Sequence, residues 1–160
     1  MRVGILTVST SRAAQHGPDE SGDELARLAA TLGGEVATRE IVSDERDAIE
    51  DRLRRWCDVE ACDLILTTGG TGVAPRDVTP EATLAAIDRE VPGIAEAMRA
   101  ASREHTRHWM LSRGVAGIRG ATLIVNFPGS PRSIEQAGAA IADALPHALA
   151  LLSGERTDHR

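Results

Sequence analysis

Leu64-Ile65-Leu66-Thr67-Thr68-Gly69-Gly70-Thr71-Gly72 is an apolar run that passes through two threonines straight into a glycine loop, and its reading decides the fold. A short aliphatic run bounded by a turn signal fits a strand covered on both faces. Glycines directly after a buried strand let backbone N–H groups approach an anion closely, and the hydroxyls of Thr68 and Thr71 add donors at little steric cost. The stretch reads as a strand with a phosphate cradle at its carboxyl end. An ordinary glycine turn is the alternative.

Upstream, residues 3–8 form a second β-branched and aliphatic run, which ends in a long polar loop over 9–22. Residues 22–32 repeat apolar side chains at Leu25, Leu28, Ala29 and Leu32, a helical stripe closed by Gly33 and Gly34. Residues 36–42 predict another strand. Asp44 follows it where an N-cap acceptor would open a helix carrying Ile49, Leu53 and Trp56. Downstream of the glycine loop, Thr79 and Pro80 read as an N-cap and first helical residue, and Pro92 and Gly93 break that helix. Ile94, Ala97, Met98 and Ala101 mark the next amphipathic segment, and 123–125 the last strand, which runs into Asn126-Phe127-Pro128-Gly129. From Ile134 helical spacing continues toward the C-terminus, with a kink expected because Pro146 cannot donate to the carbonyl of Ala142.

Strands alternating with helices predict an α/β fold, a mostly parallel sheet with helices on both faces joined by right-handed crossovers. The 160 residues suffice for one domain with one core, spanning 1–160. Ligands bind such sheets at the carboxyl ends of the strands. Ser9 to Ser11, Asp44, the Gly69 loop and the turn over 126–130 would all fall on that rim.

Composition removes several classes of function. A net charge of -6 argues against nucleic-acid or anionic-membrane partners, which demand clustered cations. No apolar stretch approaches the roughly 20 residues of a membrane span, so a soluble, cytoplasmic protein is expected. All 18 basic residues are arginine, which excludes a P-loop lysine, a Schiff base and a lysyl-nucleotide intermediate. Cys57 and Cys62 form no CxxC motif and read as reduced structural thiols. His105 and His108 lack the HExxH order and read as loop or helix-end residues.

Asp77, after Arg76 and three residues before Pro80, supplies a hard oxygen ligand for Mg²⁺ near the glycine loop. A bare carboxylate beside phosphates would repel them, so its presence makes sense chiefly with a bridging metal. Asp44 is the natural second carboxylate, helix capping being its other reading. Arg113 offers a bidentate anion contact, or is a solvated surface arginine. The Pro128-Gly129-Ser130-Pro131 turn lines an adenine or phosphate pocket, or simply connects strand to helix.

Taken together these segments resemble the Mog/MoaB family of molybdenum-cofactor biosynthesis, related to the trimeric N-terminal domain of gephyrin. The resemblance covers VSTSRA (8–13), SDE (43–45), TTGGTG (67–72), RDVTPEAT (76–83), PGIAEAMR (92–99), LSRGVAGIRG (111–120) and NFPGSP (126–131), seven motifs in family order. It implies a molybdopterin-binding α/β fold, a homotrimer, and adenylylation of molybdopterin by ATP with Mg²⁺ and release of pyrophosphate. A molybdenum-inserting protein is the implied downstream partner. Residue by residue, Asp44 and Asp77 match the family's essential, metal-holding carboxylates. Thr68, Gly69, Gly70, Thr71, Gly72, Asn126, Pro128 and Gly129 match its nucleotide-binding segments, and Glu96, Ser112 and Arg113 match segments on the pterin side. Ser11 departs from the family, since many relatives carry aspartate there, and Asp19 is the nearest acid to take its place. The alternatives are a molybdopterin-binding scaffold without catalysis, or a MoeA-like or CinA-like domain with another reaction.

Overall fold

The computed structural model describes residues 1–154; the final stretch, over which helical spacing was expected to approach the C-terminus, lies partly outside them. Strands β1 (Arg2–Val8), β2 (Glu35–Val42), β3 (Leu64–Thr68), β4 (Arg89–Glu90), β5 (Ala116–Arg119) and β6 (Thr122–Phe127) form one sheet in the order β2-β1-β3-β6-β5-β4. The first four strands in that order are parallel; β5 and β4 add an antiparallel edge. The chain leaves β1 toward β2 on one side and returns past it to β3 on the other, so the strand order reverses between β1 and β3. That is the position where open α/β sheets form a ligand crevice.

Two apolar layers sandwich the sheet, because successive strand residues point to opposite faces. Val3 and Ile5 align with Leu64 and Leu66 and with Leu123 and Val125. They are covered by α2 (Glu20–Thr31), α5 (Pro92–Ser102), α6 (Pro131–Ile141) and α7 (Ala144–Leu152) through Leu25, Met98, Ile134 and Leu145. On the other face Leu6, Ile65 and Ile124 are covered by α3 (Arg46–Asp58) and α4 (Thr79–Ala86), through Ile49, Leu53, Trp56, Ala82 and Ala86. The expected three-layer α/β/α architecture is therefore the one the chain adopts.

Local corrections concern polar ends and short elements. The loop over 9–22 winds partly into α1 (Thr10–Gln15), capped by Ser9, and α2 starts before Gly22 because the Asp19 carboxylate accepts from the Gly22 N–H at 3.0 Å. Asp44 does not cap α3, whose N-cap is Glu45 and carries no side-chain hydrogen bond. Thr79 is not an N-cap either: Val78 holds that position, and the Thr79 hydroxyl donates to the carbonyl of Gly69 at 2.9 Å. The kink expected at Pro146 is a full break at Ala142 and Asp143, with Pro146 in the first turn of α7, where a missing N–H costs nothing. Cys57 and Cys62 are both free, and burial pushes the Cys57 thiol up to about 11. No helix among the described residues is long and apolar enough to cross a membrane.

Candidate active site

The glycine loop leaves β3 between β1 and β6, and its shape is set by residues that tolerate no side chain. Gly69 has φ +92°, and a Cβ there would lie 2.3 Å from the carbonyl oxygen of Val8 on β1. The base of the loop is tied to the start of α4, since the Thr79 N–H donates to the Gly70 carbonyl at 3.1 Å beside the Thr79 hydroxyl bond to Gly69. A second glycine constraint lies at the acidic end, where a Cβ on Gly72 would stand 2.8 Å from Oδ2 of Asp77. Asp77 itself closes a tight turn: its N–H donates to the Ala74 carbonyl at 2.9 Å, and its Oδ2 accepts from the Ala74 N–H at 3.0 Å.

Beside this loop lies an open cavity of about 370 Å³, lined by Gly70, Thr71, Gly72 and Asp77 on one side and by Ser112, Pro128 and Gly129 on the other. Segments from three places in the chain thus meet at the carboxyl ends of β3 and β6. A smaller cavity of about 130 Å³ adjoins it, sharing His108, Ser112 and Pro128. The smaller one has an apolar floor that includes Met98, Ala137 and Trp109. A cavity near this size holds one ring, as the roughly 150 Å³ cavity that takes up benzene illustrates. The two together join a trough walled by the glycine loop to a pocket with mostly apolar walls.

The sequence-predicted residues other than Asp44 divide into three groups. Gly70, Thr71, Gly72, Asp77, Ser112, Pro128 and Gly129 line the larger cavity. Thr68, Gly69 and Asn126 stand behind it. The buried Thr68 hydroxyl donates to the Pro128 carbonyl at 2.7 Å, which joins the glycine loop to the turn after β6. Asn126 lines the smaller cavity, yet its side-chain hydrogen bonds run inward: Nδ2 donates to the hydroxyls of Thr67 and Thr83, and Oδ1 accepts from the Val115 N–H. Glu96 and Arg113 line neither cavity. Glu96 is exposed on α5, and the Arg113 guanidinium, expected as an anion contact, is committed to Glu81 and to the carbonyls of Gly72 and Asp77.

Asp44 sits after β2, two strands from β3, so its loop starts about 10 Å from the glycine loop at the usual strand spacing. Its Oδ2 accepts from both the N–H and the hydroxyl of Thr10, at 2.9 and 2.8 Å, and its own N–H donates back to that hydroxyl. The bonds pin the loops after β1 and β2 together. Asp19 does not replace the acid absent at Ser11, because its carboxylate is buried and already bonded to Thr7, Gly22 and Arg39. His108 is the residue that sequence reasoning missed. Lining both cavities, it is brought there by the short 3-10 helix Trp109–Leu111, and no local pattern marks such a placement.

The hard oxygen of Asp77 suits Mg²⁺, which is usually held by one or two carboxylates plus substrate phosphates. Among the described residues no group of three or more His, Cys, Asp or Glu side chains is placed to hold a metal. The donor set fits a cation that arrives with a nucleotide.

Residues 4–147 match the family described as "Probable molybdopterin binding domain". The chain is 48% identical over 115 residues to the molybdopterin adenylyltransferase of Helicobacter pylori, covering 72% of this chain and 65% of that protein. It is 41% identical over 153 residues to the Drosophila melanogaster molybdenum cofactor synthesis protein cinnamon, covering 95% of this chain but only 26% of the relative's length. Among solved structures, the molybdopterin biosynthesis enzyme MoaB from Thermus thermophilus superposes with a TM-score of 0.90 at 50% identity, covering 96% of this chain and 97% of that one.

Proposed function

This chain belongs to the molybdopterin-binding domain family, and on that premise we propose that it is a molybdopterin adenylyltransferase, joining molybdopterin to the AMP moiety of ATP. The observation that carries the reading is the single trough in which Gly70 to Gly72, Asp77, Ser112 and the Pro128-Gly129 turn meet. The Helicobacter pylori relative, which bears this activity by name, supports it; the chain spans 65% of that protein's length and 26% of the Drosophila relative's.

In this reaction the terminal phosphate of molybdopterin attacks the α-phosphorus of ATP in line. A P–O bond forms there as the bond to pyrophosphate breaks, and pyrophosphate departs with its electron pair. The attacking oxygen is already anionic near neutral pH, so no general base is required. The protein's part is positioning and charge neutralisation. Backbone amides of Gly70 to Gly72 receive phosphate oxygens, Thr71 and Ser112 add hydroxyls, and the Pro128-Gly129 turn closes the far wall. Mg²⁺ held by Asp77 would neutralise charge on the transferring phosphates, whereas Asp44, bonded to Thr10, stands outside this trough. The smaller cavity receives a ring of one of the two substrates. In this reading the enzyme works in the cytoplasm as a homotrimer and passes adenylyl-molybdopterin to a molybdenum-inserting protein.

Pyrophosphate release from ATP and Mg²⁺, with and without molybdopterin, tests the proposal. Release that needs the pterin and vanishes in Asp77→Asn, at an almost unchanged melting temperature, is the expected result. Undiminished turnover by Asp77→Asn would sink the role of that carboxylate. Pterin binding without any pyrophosphate would favour the non-catalytic scaffold, a reading supported by Ser11, which stands exposed where many relatives carry an acid.

A further inference from the structure

We propose that Arg113 and Glu81 form a positioning clamp that turns the carbonyls of the glycine loop away from the ligand and holds Asp77 in register; this rests on the adenylyltransferase reading of the trough. Arg113 collects three loop carbonyls at once. Its backbone N–H donates to the Thr71 carbonyl at 2.7 Å, its Nε–H to the Gly72 carbonyl at 2.7 Å, and its Nη2–H to the Asp77 carbonyl at 2.7 Å. The outer edge of the guanidinium is gripped by the Glu81 carboxylate, two residues into α4 from Thr79. Thr79 meanwhile takes the carbonyls of Gly69 and Gly70. Every carbonyl from Gly69 to Gly72 is therefore bonded within the protein.

The consequence follows from peptide geometry. In a trans peptide the C=O and the next N–H point in opposite directions, and no peptide bond among the described residues is cis. Anchoring the carbonyls of Gly69 to Gly72 aims the N–H groups of residues 70–73 the other way, which builds a concave array suited to an anion. Arg113 lines neither cavity and makes its charge felt through this array. Glu81 matters because it takes the edge of the guanidinium that faces away from the loop, fixing the plane of the fork. Lysine cannot replace the arginine, since one ammonium cannot span two carbonyls and a carboxylate.

The test compares wild type, Arg113→Lys and Glu81→Gln by two measurements. The first is hydrogen exchange of the ligand-free protein. The second is steady-state pyrophosphate release from ATP and molybdopterin across a range of Mg²⁺ concentrations. In Arg113→Lys, the bonded amides that the clamp holds in place, those of Ala74, Asp77, Thr79 and residue 113 itself, should exchange faster while those of β1 and β3 keep their protection. Its kcat should fall on the order of 10–100-fold with the molybdopterin KM little changed. Glu81→Gln should show a smaller loss of the same kind. Unchanged exchange at the amides of Ala74, Asp77, Thr79 and residue 113 in Arg113→Lys overturns the clamp whatever the turnover. A risen KM at constant kcat overturns it as well, by making Arg113 a direct substrate contact. If wild type itself releases no pyrophosphate, the adenylyltransferase reading fails, while the exchange data still decide whether the clamp exists.

Discussion

Asp19 shows how much one buried carboxylate can organise. Its oxygens accept from the Thr7 hydroxyl at 2.9 Å, the Gly22 N–H at 3.0 Å and the Arg39 guanidinium at 3.0 Å, tying β1, α2 and β2 together. Burial alone pushes its carboxyl up, but the hydrogen bonds from Gly22, Arg39 and Thr7 outweigh it and hold the group below the usual aspartate range. A lowered folded-state value means that the unfolded chain binds the proton more readily, so the group stabilises the fold above its unfolded value and loses that contribution as pH falls through the folded one. Thermal midpoints of wild type should thus drop as pH falls below about 4, and Asp19→Asn should start lower at neutral pH and fall less steeply on acidification. Parallel acid profiles for the two proteins would show that Asp19 contributes nothing by this route. Arg113 is a parallel case at the same scale, a charged side chain placed beside the site to shape the backbone.

Among the elements, α3 and α4 carry the face of the sheet that lies away from most of the helices. The fully buried Trp56 of α3 packs with Leu6, Ile65 and Ile124, so this layer depends on one large side chain. Trp56→Ala should cost about 3–5 kcal/mol, because a layer of only two helices has little left with which to fill the cavity. Urea unfolding should show a lower midpoint at unchanged slope; a loss under 1 kcal/mol would mean that α3 collapses onto the sheet and refills the space. Helix α4 has a second task at its start, where Thr79 holds the base of the glycine loop and Glu81 holds the clamp. Packing and site geometry are coupled through that one short helix.

For the whole molecule, the reversal of strand order between β1 and β3 brings the loops after four parallel strands onto one rim. In the proposed homotrimer, folding is linked to assembly, so the thermal midpoint should rise with protein concentration. Light scattering that gives a single-chain mass, with a midpoint independent of concentration, would remove the trimer from the proposal. The low aromatic content, two Trp and one Phe, leaves the core to aliphatic side chains. Two continuous apolar layers suffice without further aromatics.

Much of this was legible in the chain itself. Runs of β-branched and aliphatic residues at β1, β3 and β6 marked the buried strands, and the stripe at Leu25, Leu28 and Ala29 marked α2, because burial on a sheet or helix face imposes a period that local reading detects. The glycine loop was visible for the same reason, since close backbone approach restricts residue type. The short β4 and β5 were not, since an antiparallel edge of two and four residues carries no period of its own. Nor could sequence decide what the polar groups bind. Asp44 met Thr10 rather than capping α3, Thr79 turned to Gly69, Arg113 took the loop carbonyls, and His108 reached the cavity, because a hydrogen-bonding group takes whichever partner folding brings within about 3 Å. Sequence by itself determined the two apolar layers and the polar residue types gathered on the rim; only the tertiary structure decided which polar side chains line the trough and which hold the backbone beside it, because that depends on partners distant in the chain.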